Sequence, residues 1–287
     1  MIHYNNNLTS KYNISSMSIH DLLKGLNEKG YIPRAFDIIG NKEKAVAIIE
    51  IPDSFKKKKM IAEAILRQHK NVKTVLEKKS PRKGVFRIRS YRILAGDKNT
   101  EVIHKESSCL FMLDPRKVYF SPREGTERER IANIIDSNEN IMVFFAGIGA
   151  FPIVIAKKKR CSVTGIEINP KAVYYFRKNA EMNKVDVKIV KGDVKKVISK
   201  EYNEKFDRVI MPLPESSTNF LKEAIYCLKK GGTCHLYCFS KEDALKDVVK
   251  RIEENLEEQG RIELISIQKV LPWGPKIFKY RIDFRIL

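Results

Sequence analysis

The stretch Met142-Val-Phe-Phe-Ala-Gly-Ile-Gly-Ala-Phe-Pro152 decides the fold of this chain. An apolar run ends in Gly147-Ile-Gly149, and a second apolar segment follows from Ile153 to Ala156. This order predicts a buried strand, a tight turn and the start of a helix. Glycines in such a turn let a ligand approach the backbone where a side chain would block it. On its own, the pattern also fits an ordinary strand-to-helix turn.

An acidic residue follows the glycine turn at an informative distance. A second predicted strand, Ser162 to Ile166, ends in Glu167, twenty residues after Gly147. An acid at this position suits the two hydroxyl groups of a ribose. Pro152 stands where the dinucleotide fingerprint G-x-G-x-x-G has its third glycine, which disfavours a pyrophosphate. S-adenosylmethionine contains ribose and adenine but no phosphate, and the two motifs together predict this cofactor.

The order of patterns around the two motifs predicts an α/β fold with a mostly parallel, doubly wound sheet. Helical patterns separate five predicted strands, at Ile141 to Phe145, Ser162 to Ile166, Val187 to Val190, Arg208 to Met211 and Thr233 to Phe239. Two further strands, Glu263 to Val270 and Phe278 to Ile286, flank Pro272-Trp-Gly-Pro275. They predict an antiparallel hairpin at one edge of the sheet.

The first part of the chain predicts a smaller α/β domain. It is expected to span residues 1–100, with the larger domain in residues 101–287, and it includes a predicted helix at Ile19 to Leu26. Val85 to Ile93 alternates apolar and basic residues. This alternation predicts an edge strand whose outer face carries Arg87 and Arg89. The turn-rich segment Leu94 to Thr100 marks the predicted boundary.

The charge of the chain indicates a polyanionic partner. Lysine and arginine number 55 against 35 aspartate and glutamate residues, for a net charge of +20. Lysine-rich surfaces also occur in heat-adapted proteins, so the distribution of charge matters more than its sum. Basic residues concentrate between Lys56 and Arg92 and include the unbroken run Lys56 to Lys59. We predict that this segment forms a face that tracks phosphates.

Membrane and metal roles are disfavoured. No apolar stretch is long enough to span a membrane, and Met1 to Asn7 lacks the features of a signal peptide. Cys234 and Cys238 have a spacing that would suit a metal, but they lie in an apolar, strand-like run. Core thiols are the preferred interpretation, and we predict no metal site. A reducing cytoplasm fits these features.

Four segments are predicted to meet at the carboxyl edge of the larger sheet, where ligands bind in folds of this class. They are Phe145 to Gly149, Glu167-Ile168-Asn169, Gly192-Asp193-Val194 and Met211-Pro212-Leu213-Pro214. Asp193 could accept a hydrogen bond from an adenine amino group, or it could cap a helix. The two prolines could hold an extended loop that exposes backbone carbonyls beside the methyl donor, or they could be structural only.

With these residues in place, the chain resembles the archaeal and eukaryotic tRNA (guanine-N1-)-methyltransferases that act at position 37. The resemblance covers roughly Ala35 to the C-terminus. The segments that carry it include Phe86 to Arg89, Ile103 to Glu106, Lys117-Val-Tyr-Phe-Ser-Pro-Arg123, Glu127-Arg128, the glycine turn, Glu167 to Pro170, Gly192 to Val194 and Met211 to Pro214.

The resemblance implies roles for single residues. Glu127 would remove the proton from N1 of guanine, where the competing interpretation is a carboxylate that only complements a helix dipole. A carboxylate serves as general base best when burial brings its pKa toward about 6–7. Arg87 would stabilise charge on O6, and Arg123 would hold the base or the loop. The cofactor would contact Tyr119, Phe145, Gly147, Gly149, Glu167, Ile168, Asp193, Val194, Pro212, Leu213 and Pro214.

The resemblance also implies a partner and leaves alternatives. The implied partner is the anticodon loop of tRNA, bound by a monomer, without DNA or membrane. The family often has asparagine where this chain has Pro212, so a backbone carbonyl would have to replace that side chain. One alternative is the aminocarboxypropyl transferase of wybutosine synthesis, which uses the same cofactor. The other is a non-catalytic RNA-binding protein on a methyltransferase fold.

Overall fold

The computed structural model describes residues 36–254 and 261–287. The chain divides into two compact units between His104 and Lys105. The sequence placed this boundary at residue 100. The helix predicted at Ile19 to Leu26 lies outside the described residues.

The first unit contains a four-stranded sheet with the order β1-β2-β3-β4. Its strands are β1 (Asp37–Gly40), β2 (Ala45–Ile49), β3 (Val72–Lys78) and β4 (Tyr91–Gly96). Helix α1 (Lys58–Gln68) connects the parallel strands β2 and β3. Ile61 and Ile65 on α1 are fully buried and pack against the apolar side chains of β2 and β3. This packing is the core of the unit.

The strand predicted at Val85 to Ile93 is wrong. The chain instead makes a tight turn in which the backbone N–H of Arg87 donates to the carbonyl of Gly84 at 3.1 Å. Arg87 adopts φ +52, and Val85 is 73% exposed. The regular strand begins only at Tyr91. Gly84, with φ +67, supplies a turn that interrupts the alternating pattern.

Part of the predicted phosphate-tracking face is buried. Lys58 is 7% exposed, and its Nζ lies 2.6 Å from Oε1 of the fully buried Glu77. Nε of Arg92 donates to the other oxygen of Glu77 at 2.9 Å. A buried carboxylate requires such partners, because an unpaired charge in the interior is costly. Lys58 and Arg92 therefore stabilise the first unit by pairing with Glu77.

The second unit contains a seven-stranded sheet with the order β12-β13-β11-β10-β7-β8-β9, which confirms the predicted α/β fold. The five parallel strands are β7 (Asn140–Val143), β8 (Ser162–Glu167), β9 (Lys188–Lys191), β10 (Phe206–Met211) and β11 (Leu228–Ser240). The antiparallel hairpin of β12 (Ile262–Gly274) and β13 (Ile277–Ile286) pairs with β11. The predicted edge hairpin is therefore confirmed.

The described residues of the second unit form six α-helices. They are α2 (Gly125–Ile134), α3 (Ala150–Lys158), α4 (Pro170–Asn183), α5 (Val194–Val197), α6 (Leu221–Cys227) and α7 (Leu245–Glu254). A small hairpin, β5 (Val102–Glu106) with β6 (Cys109–Leu113), precedes them. The amide side chains of Asn179 and Asn183 on α4 bond the backbone of β6 at Met112 and Leu110. Within the described ranges, no helix is long and apolar enough to cross a bilayer.

Candidate active site

The two glycines of the turn after β7 have different roles. Both adopt positive φ angles, +59 at Gly147 and +86 at Gly149, a region that favours glycine. A Cβ atom at Gly147 would meet no atom within 4 Å. A Cβ atom at Gly149 would lie 2.1 Å from Cδ2 of Phe176 on α4. Close packing therefore explains Gly149, whereas the positive φ favours glycine at Gly147 and the space beside it is open.

Glu167 ties the glycine turn to the end of β8. One carboxylate oxygen accepts the backbone N–H of Gly147 at 2.7 Å, and the other accepts that of Asn169 at 2.7 Å. Glu167 is 8% exposed, and burial raises its pKa against the opposing effect of these N–H groups. A carboxylate has about four acceptor positions, so Glu167 keeps acceptor capacity for a ligand. Ile168, half-buried, follows it.

Side-chain caps shape the next two segments. Asn169 accepts the N–H of Lys171 at 2.9 Å and so caps α4. Its Nδ2 also donates to the carbonyl of Lys117, two residues before Tyr119. Asp193 accepts the N–H of Lys195 at 3.0 Å and caps α5. The capping interpretation of Asp193 is thus realised, while a contact with adenine stays a prediction.

Phe145 lies among aromatic and apolar side chains close to these segments. It adopts φ +54, an uncommon conformation for a residue with a side chain. Its ring lies 4.8 Å from that of Phe220, at a steep angle, and packs against the core that includes the buried Val194. The structure thus brings Phe145 and Val194 into one apolar cluster.

The loop Met211-Pro212-Leu213-Pro214 is held by Ser217. The hydroxyl of this buried serine lies within hydrogen-bonding distance of the carbonyls of Met211 and Leu213. Leu213 O also accepts from the backbone of Ser217, and Pro214 O accepts from Phe239 at 3.3 Å. Within the part of the chain that the structure describes, the carbonyl of Pro212 accepts no hydrogen bond. We predicted that this loop exposes its backbone carbonyls, but three of the four accept hydrogen bonds from other groups of the protein.

Glu127 occupies the first turn of α2 and is 2% exposed. Its Oε1 accepts the hydroxyl of Tyr237 at 2.8 Å and Nη1 of Arg281 at 2.8 Å. Its Oε2 accepts Nη1 of Arg130 at 2.8 Å. The ring of Tyr237 lies 6.1 Å from that of Phe151, in the first turn after the glycine loop. Tyr237 therefore connects Glu127 to that loop.

A buried ionic network extends from Glu127 across the sheet. Nε of Arg281 donates to both oxygens of Asp283, at 2.9 and 3.0 Å. Oδ1 of Asp283 lies 2.6 Å from Nδ1 of His235, whose Nε2 lies 2.8 Å from Nη1 of Arg208. Arg208 then forms two hydrogen bonds with Glu139, each 2.7 Å long. We call these five residues, from Arg281 to Glu139, the charge relay.

The contacts of His235 in the charge relay favour the neutral form of its imidazole. Burial lowers its pKa below 6.5, and the guanidinium groups of Arg208 and Arg281 lower it further. Arg208 can only donate, so Nε2 must accept and Nδ1 must carry the proton toward Asp283. Burial would raise the pKa of Asp283, but its bonds with His235 and Arg281 hold it at about 2.

A second buried pair lies beside Glu127. Oε1 of Glu124 lies 3.1 Å from Nζ of Lys279 and accepts the hydroxyl of Tyr119 at 3.0 Å. Nζ of Lys279 also lies 4.6 Å from the ring centre of Tyr237. Burial lowers the pKa of Lys279, while Glu124 opposes the shift. The structure thus anchors Tyr119 through Glu124.

The two arginines predicted for the site both lie in turns. Arg123 is exposed, in the short 3₁₀ turn Pro122–Glu124 that leads into α2. Arg87 lies in the first unit, on the turn that replaces the predicted strand. Arg128, which follows Glu127, forms two hydrogen bonds with Glu106 and so fastens α2 to β5.

Sequence reasoning missed the partners of Glu127. Arg281 and Asp283 follow Lys279 at every second position of β13, and so they share one face of the strand. The sequence pattern that could have predicted these partners is the charge at every second position of an otherwise apolar strand. Such charged side chains either face solvent or pair with one another inside the protein. Here the face is buried, with exposures of 2 to 4% for these three residues.

The cysteines and the acidic residues offer no metal centre in the described ranges, where no group of three or more potential ligands clusters. Cys234 and Cys238 are buried in β11, and burial raises the pKa of Cys238 to about 11. Sγ of Cys234 lies 3.6 Å from Sδ of Met211 in the core. These thiols pack as apolar groups.

Two family models match the chain. The model described as the TRM5/TYW2 methyltransferase domain matches residues 102–265, and the TYW2 N-terminal domain matches residues 19–100. A curated relative, the tRNA (guanine(37)-N(1))-methyltransferase Trm5b of Pyrococcus abyssi, is 40% identical over 89% of this chain and 76% of its own length. The tRNA (guanine(37)-N(1))/4-demethylwyosine(37)-methyltransferase Taw22 of Nanoarchaeum equitans is 30% identical over 88% of this chain and 100% of its own length.

Solved structures agree with these matches. The complex of aTrm5 with tRNALeu superimposes with a TM-score of 0.82 and 31% identity, covering 99% of this chain and 82% of that one. Methanocaldococcus jannaschii Trm5 in complex with adenosine gives a TM-score of 0.75 and 30% identity, covering 96% and 80%. The chain belongs to the TRM5/TYW2 methyltransferase family.

Proposed function

We propose that this protein transfers a methyl group from S-adenosylmethionine to N1 of guanosine 37 in tRNA. The names of relatives at 40% and 30% identity support this reaction. The observation that carries it is the position of Glu127, a buried carboxylate that Tyr237 links to the glycine turn. Binding of the anticodon loop by a cytoplasmic monomer that does not act on DNA stays a prediction.

The residues at the carboxyl edge fit this cofactor. Open space at Gly147 admits a ligand beside the backbone, and Glu167 retains acceptor positions for ribose hydroxyls. The apolar cluster around Phe145 offers a surface for an adenine ring. When bound, S-adenosylmethionine supplies an electrophilic methyl group on its sulfonium. A solved family relative in complex with adenosine supports a cofactor that contains adenosine.

The chain's own residues then have to prepare the guanine. N1 carries a proton at neutral pH, and a base must remove it before N1 can attack. Glu127 would accept that proton on Oε2, which faces the half-exposed Arg130, after Arg130 moves aside. Arg281 and Tyr237 would hold Oε1 in place. Arg87 would stabilise negative charge on O6, and Arg123 would hold the base or its loop.

The carbonyl of Pro212 can accept a hydrogen bond from the target guanine. The family's usual asparagine is absent here, and this carbonyl is the acceptor that the loop leaves available among the described residues. Guanine presents its N1–H and its 2-amino group as donors on the edge that contains N1, whereas adenine has no proton on N1, no amino group on C2, and its amino group on C6 instead. A fixed carbonyl would therefore favour guanine over adenine.

The substitution Glu127→Gln tests the proposed base. Glutamine keeps the shape but cannot take a proton, so methyl transfer under single-turnover conditions should fall about 10²–10⁴-fold. The measurement is transfer of a tritium-labelled methyl group to a tRNA transcript with guanosine at position 37. Affinities for tRNA and S-adenosylmethionine should stay nearly unchanged, and a higher pH should partly restore the rate.

The control is Glu129→Gln on the same helix. Glu129 is half-exposed and pairs with Lys158, away from the network of Glu127. It should keep the parental rate. A Glu127→Gln enzyme that turns over like the parent would assign Glu127 to structure and place the base elsewhere.

Aminocarboxypropyl transfer is the second candidate, because the matching family models include TYW2 in their descriptions. The same cofactor would then lose its larger carbon chain to a tricyclic guanosine derivative. Mass spectrometry of nucleosides after incubation with S-adenosylmethionine separates the two reactions. Unmodified tRNA should gain a methyl group in the proposed reaction, whereas aminocarboxypropyl transfer would need tRNA that already carries the tricyclic derivative. Retention of Glu127 in its buried network favours the methyl transfer over a non-catalytic role.

A further inference from the structure

An exposed aromatic platform lies at the same edge of the sheet as the candidate site. Trp273 is 51% exposed and is the second-last residue of β12, just before the turn to β13. Its ring stacks on Phe239 with a centroid distance of 4.2 Å and an interplanar angle of 25°. Phe239 precedes the last residue of β11, and its N–H donates to the carbonyl of Pro214. The platform of Trp273 and Phe239 therefore adjoins the proline loop.

The platform shares a face of the sheet with Glu127. Residues directly opposite in antiparallel strands point to the same side, and Tyr237 pairs with Arg281 while Phe239 pairs with Lys279. Tyr237 and Arg281 both bond Glu127. Phe239 lies two residues beyond Tyr237, about 7 Å along the strand toward the carboxyl edge. A line along this face thus runs from the candidate base to Trp273.

The charges around Trp273 suit a polyanion. Lys276 in the turn and Lys241 after β11 are exposed. Nζ of Lys269 lies 4.0 Å from the ring centre of Phe278, and its charge is shared with Glu242 at 3.1 Å. Aromatic rings flanked by cations bind single-stranded nucleic acid, because bases stack on the rings while cations contact phosphates. A flat protein partner would require more apolar area than this pair offers.

We propose that Trp273 stacks on a nucleobase that flanks the target guanosine and thereby positions the anticodon loop. The inference rests on the proposed function for the identity of the RNA. The target base would lie at Glu127 beside Tyr237 and the second base at Trp273 beside Phe239, and these two positions of β11 are about 7 Å apart. Stacking here would hold the loop open on one side of the guanosine, and it would tolerate different bases because every base has a π face.

The protein contains one tryptophan, so fluorescence excited at wavelengths that tyrosine does not absorb reports on Trp273 alone. Addition of a synthetic anticodon stem-loop RNA should quench this fluorescence in the unmodified protein. Trp273→Ala should raise the Kd for fluorescein-labelled RNA about 5- to 100-fold, from the usual strength of base stacking. Trp273→Phe should recover most of the affinity, since it keeps a ring at this place.

Two controls separate stacking from other effects. Tyr226→Ala removes an aromatic residue that is 37% exposed at the end of α6, beside the start of β11 and thus at the opposite edge. It should bind RNA like the parent. An RNA with an abasic site 5′ or 3′ of the guanosine should lose affinity for the parent protein at one of the two positions, with no further loss for Trp273→Ala.

Parental RNA affinity in a folded Trp273→Ala protein, or unquenched fluorescence with bound RNA, would overturn the inference. Circular dichroism checks folding, and Trp273→Phe supplies the test should the alanine variant be unstable. A loss of affinity that no abasic RNA reproduces would assign Trp273 to a contact other than base stacking and overturn it too. Methylation by the parent protein is scored separately, so failure of the proposed reaction is distinguishable from failure of the stacking contact.

Discussion

At the scale of the residue, Glu127 is defined by its donors more than by its burial. Arg130 from its own helix, Tyr237 from β11 and Arg281 from β13 together occupy both carboxylate oxygens. Two guanidinium groups stabilise the anion, so proton transfer to Glu127 requires a change of partners. Arg130 is 42% exposed on its side chain and Arg281 is 5% exposed, so Arg130 is the partner that can leave.

Arg281 and Arg285 on the same strand provide a matched test of the network. Arg281 is buried between Glu127 and Asp283, whereas Arg285 forms a half-exposed pair with Glu263 at 3.3 Å. Arg281→Gln leaves buried carboxylates without their cation and should cost about 3–5 kcal/mol of unfolding free energy. Arg285→Gln should cost less than about 1 kcal/mol. Urea unfolding followed by the fluorescence of Trp273 compares the two, and equal losses would contradict a structural role for the network.

The sequence could identify Glu127 but not its partners. Its position after Tyr-Phe-Ser-Pro-Arg123 made it a candidate through a family resemblance. Arg281 lies 154 residues away in the chain, and only the pairing of β13 with β11 brings it to Glu127. Long-range ion pairs depend on strand register, which a local pattern does not specify.

At the scale of the element, the glycine turn offers a second matched test. Gly147→Ala places a methyl group in open space and should cost only the strain of positive φ, about 1–2 kcal/mol. Gly149→Ala adds a clash with Phe176 and should cost about 2–5 kcal/mol. The loss of cofactor affinity should have the opposite order to the loss of stability. In the folded proteins, Gly147→Ala should bind S-adenosylmethionine more weakly than Gly149→Ala.

Calorimetric titration with S-adenosylmethionine and thermal unfolding measure both quantities for the two glycine variants. If Gly147→Ala binds the cofactor like the parent, the open space beside Gly147 does not face the ligand. The two variants thereby separate two reasons for a glycine in a G-x-G pattern, namely space for a ligand and close packing against a neighbouring side chain.

Elements were predictable where one signal dominated. The strands of the second unit carry strong apolar runs, and the parallel order followed from their alternation with helices. The segment around Arg87 was mispredicted because Gly84 and the preceding Ser80-Pro81 outweigh two-residue alternation. The sequence T-x-x-E from Thr126 to Glu129 is typical of a capping box, but α2 begins at Gly125, so Thr126 lies inside the helix and does not cap it. Glu129 pairs with Lys158 instead.

At the scale of the whole molecule, the net charge of +20 overstates the cationic surface. Lys58, Lys279, Arg128 and Arg281 are nearly buried and pair with carboxylates. Composition counts these cations as if they faced solvent, and of the four Lys58 is the one that lies in the predicted phosphate face from Lys56 to Arg92. The remaining exposed cations are what salt-dependent RNA binding would report.

The charge relay makes the stability of the second unit depend on pH. The pKa of His235 is lower in the folded protein than the unfolded value near 6.5, so the unfolded state binds more protons as the pH falls through this range. Stability from neutral His235 is therefore complete above about pH 7.5 and is lost as the pH falls below 6.5 toward the folded pKa. Asp283, with its pKa at about 2, extends the loss below pH 4.

The free energy of unfolding should thus fall steadily between pH 7 and pH 5. Urea titrations followed by Trp273 fluorescence measure it within the second unit, which contains both groups. His235→Gln loses the imidazole that bonds Arg208 and Asp283, so it should be less stable than the parent at pH 7.5. Because glutamine cannot take up a proton, its free energy of unfolding should change less from pH 7 to pH 5. A variant with the parental slope would mean that other groups titrate in this range, and that burial of His235 between Arg208 and Asp283 does not set the acid limit of the fold.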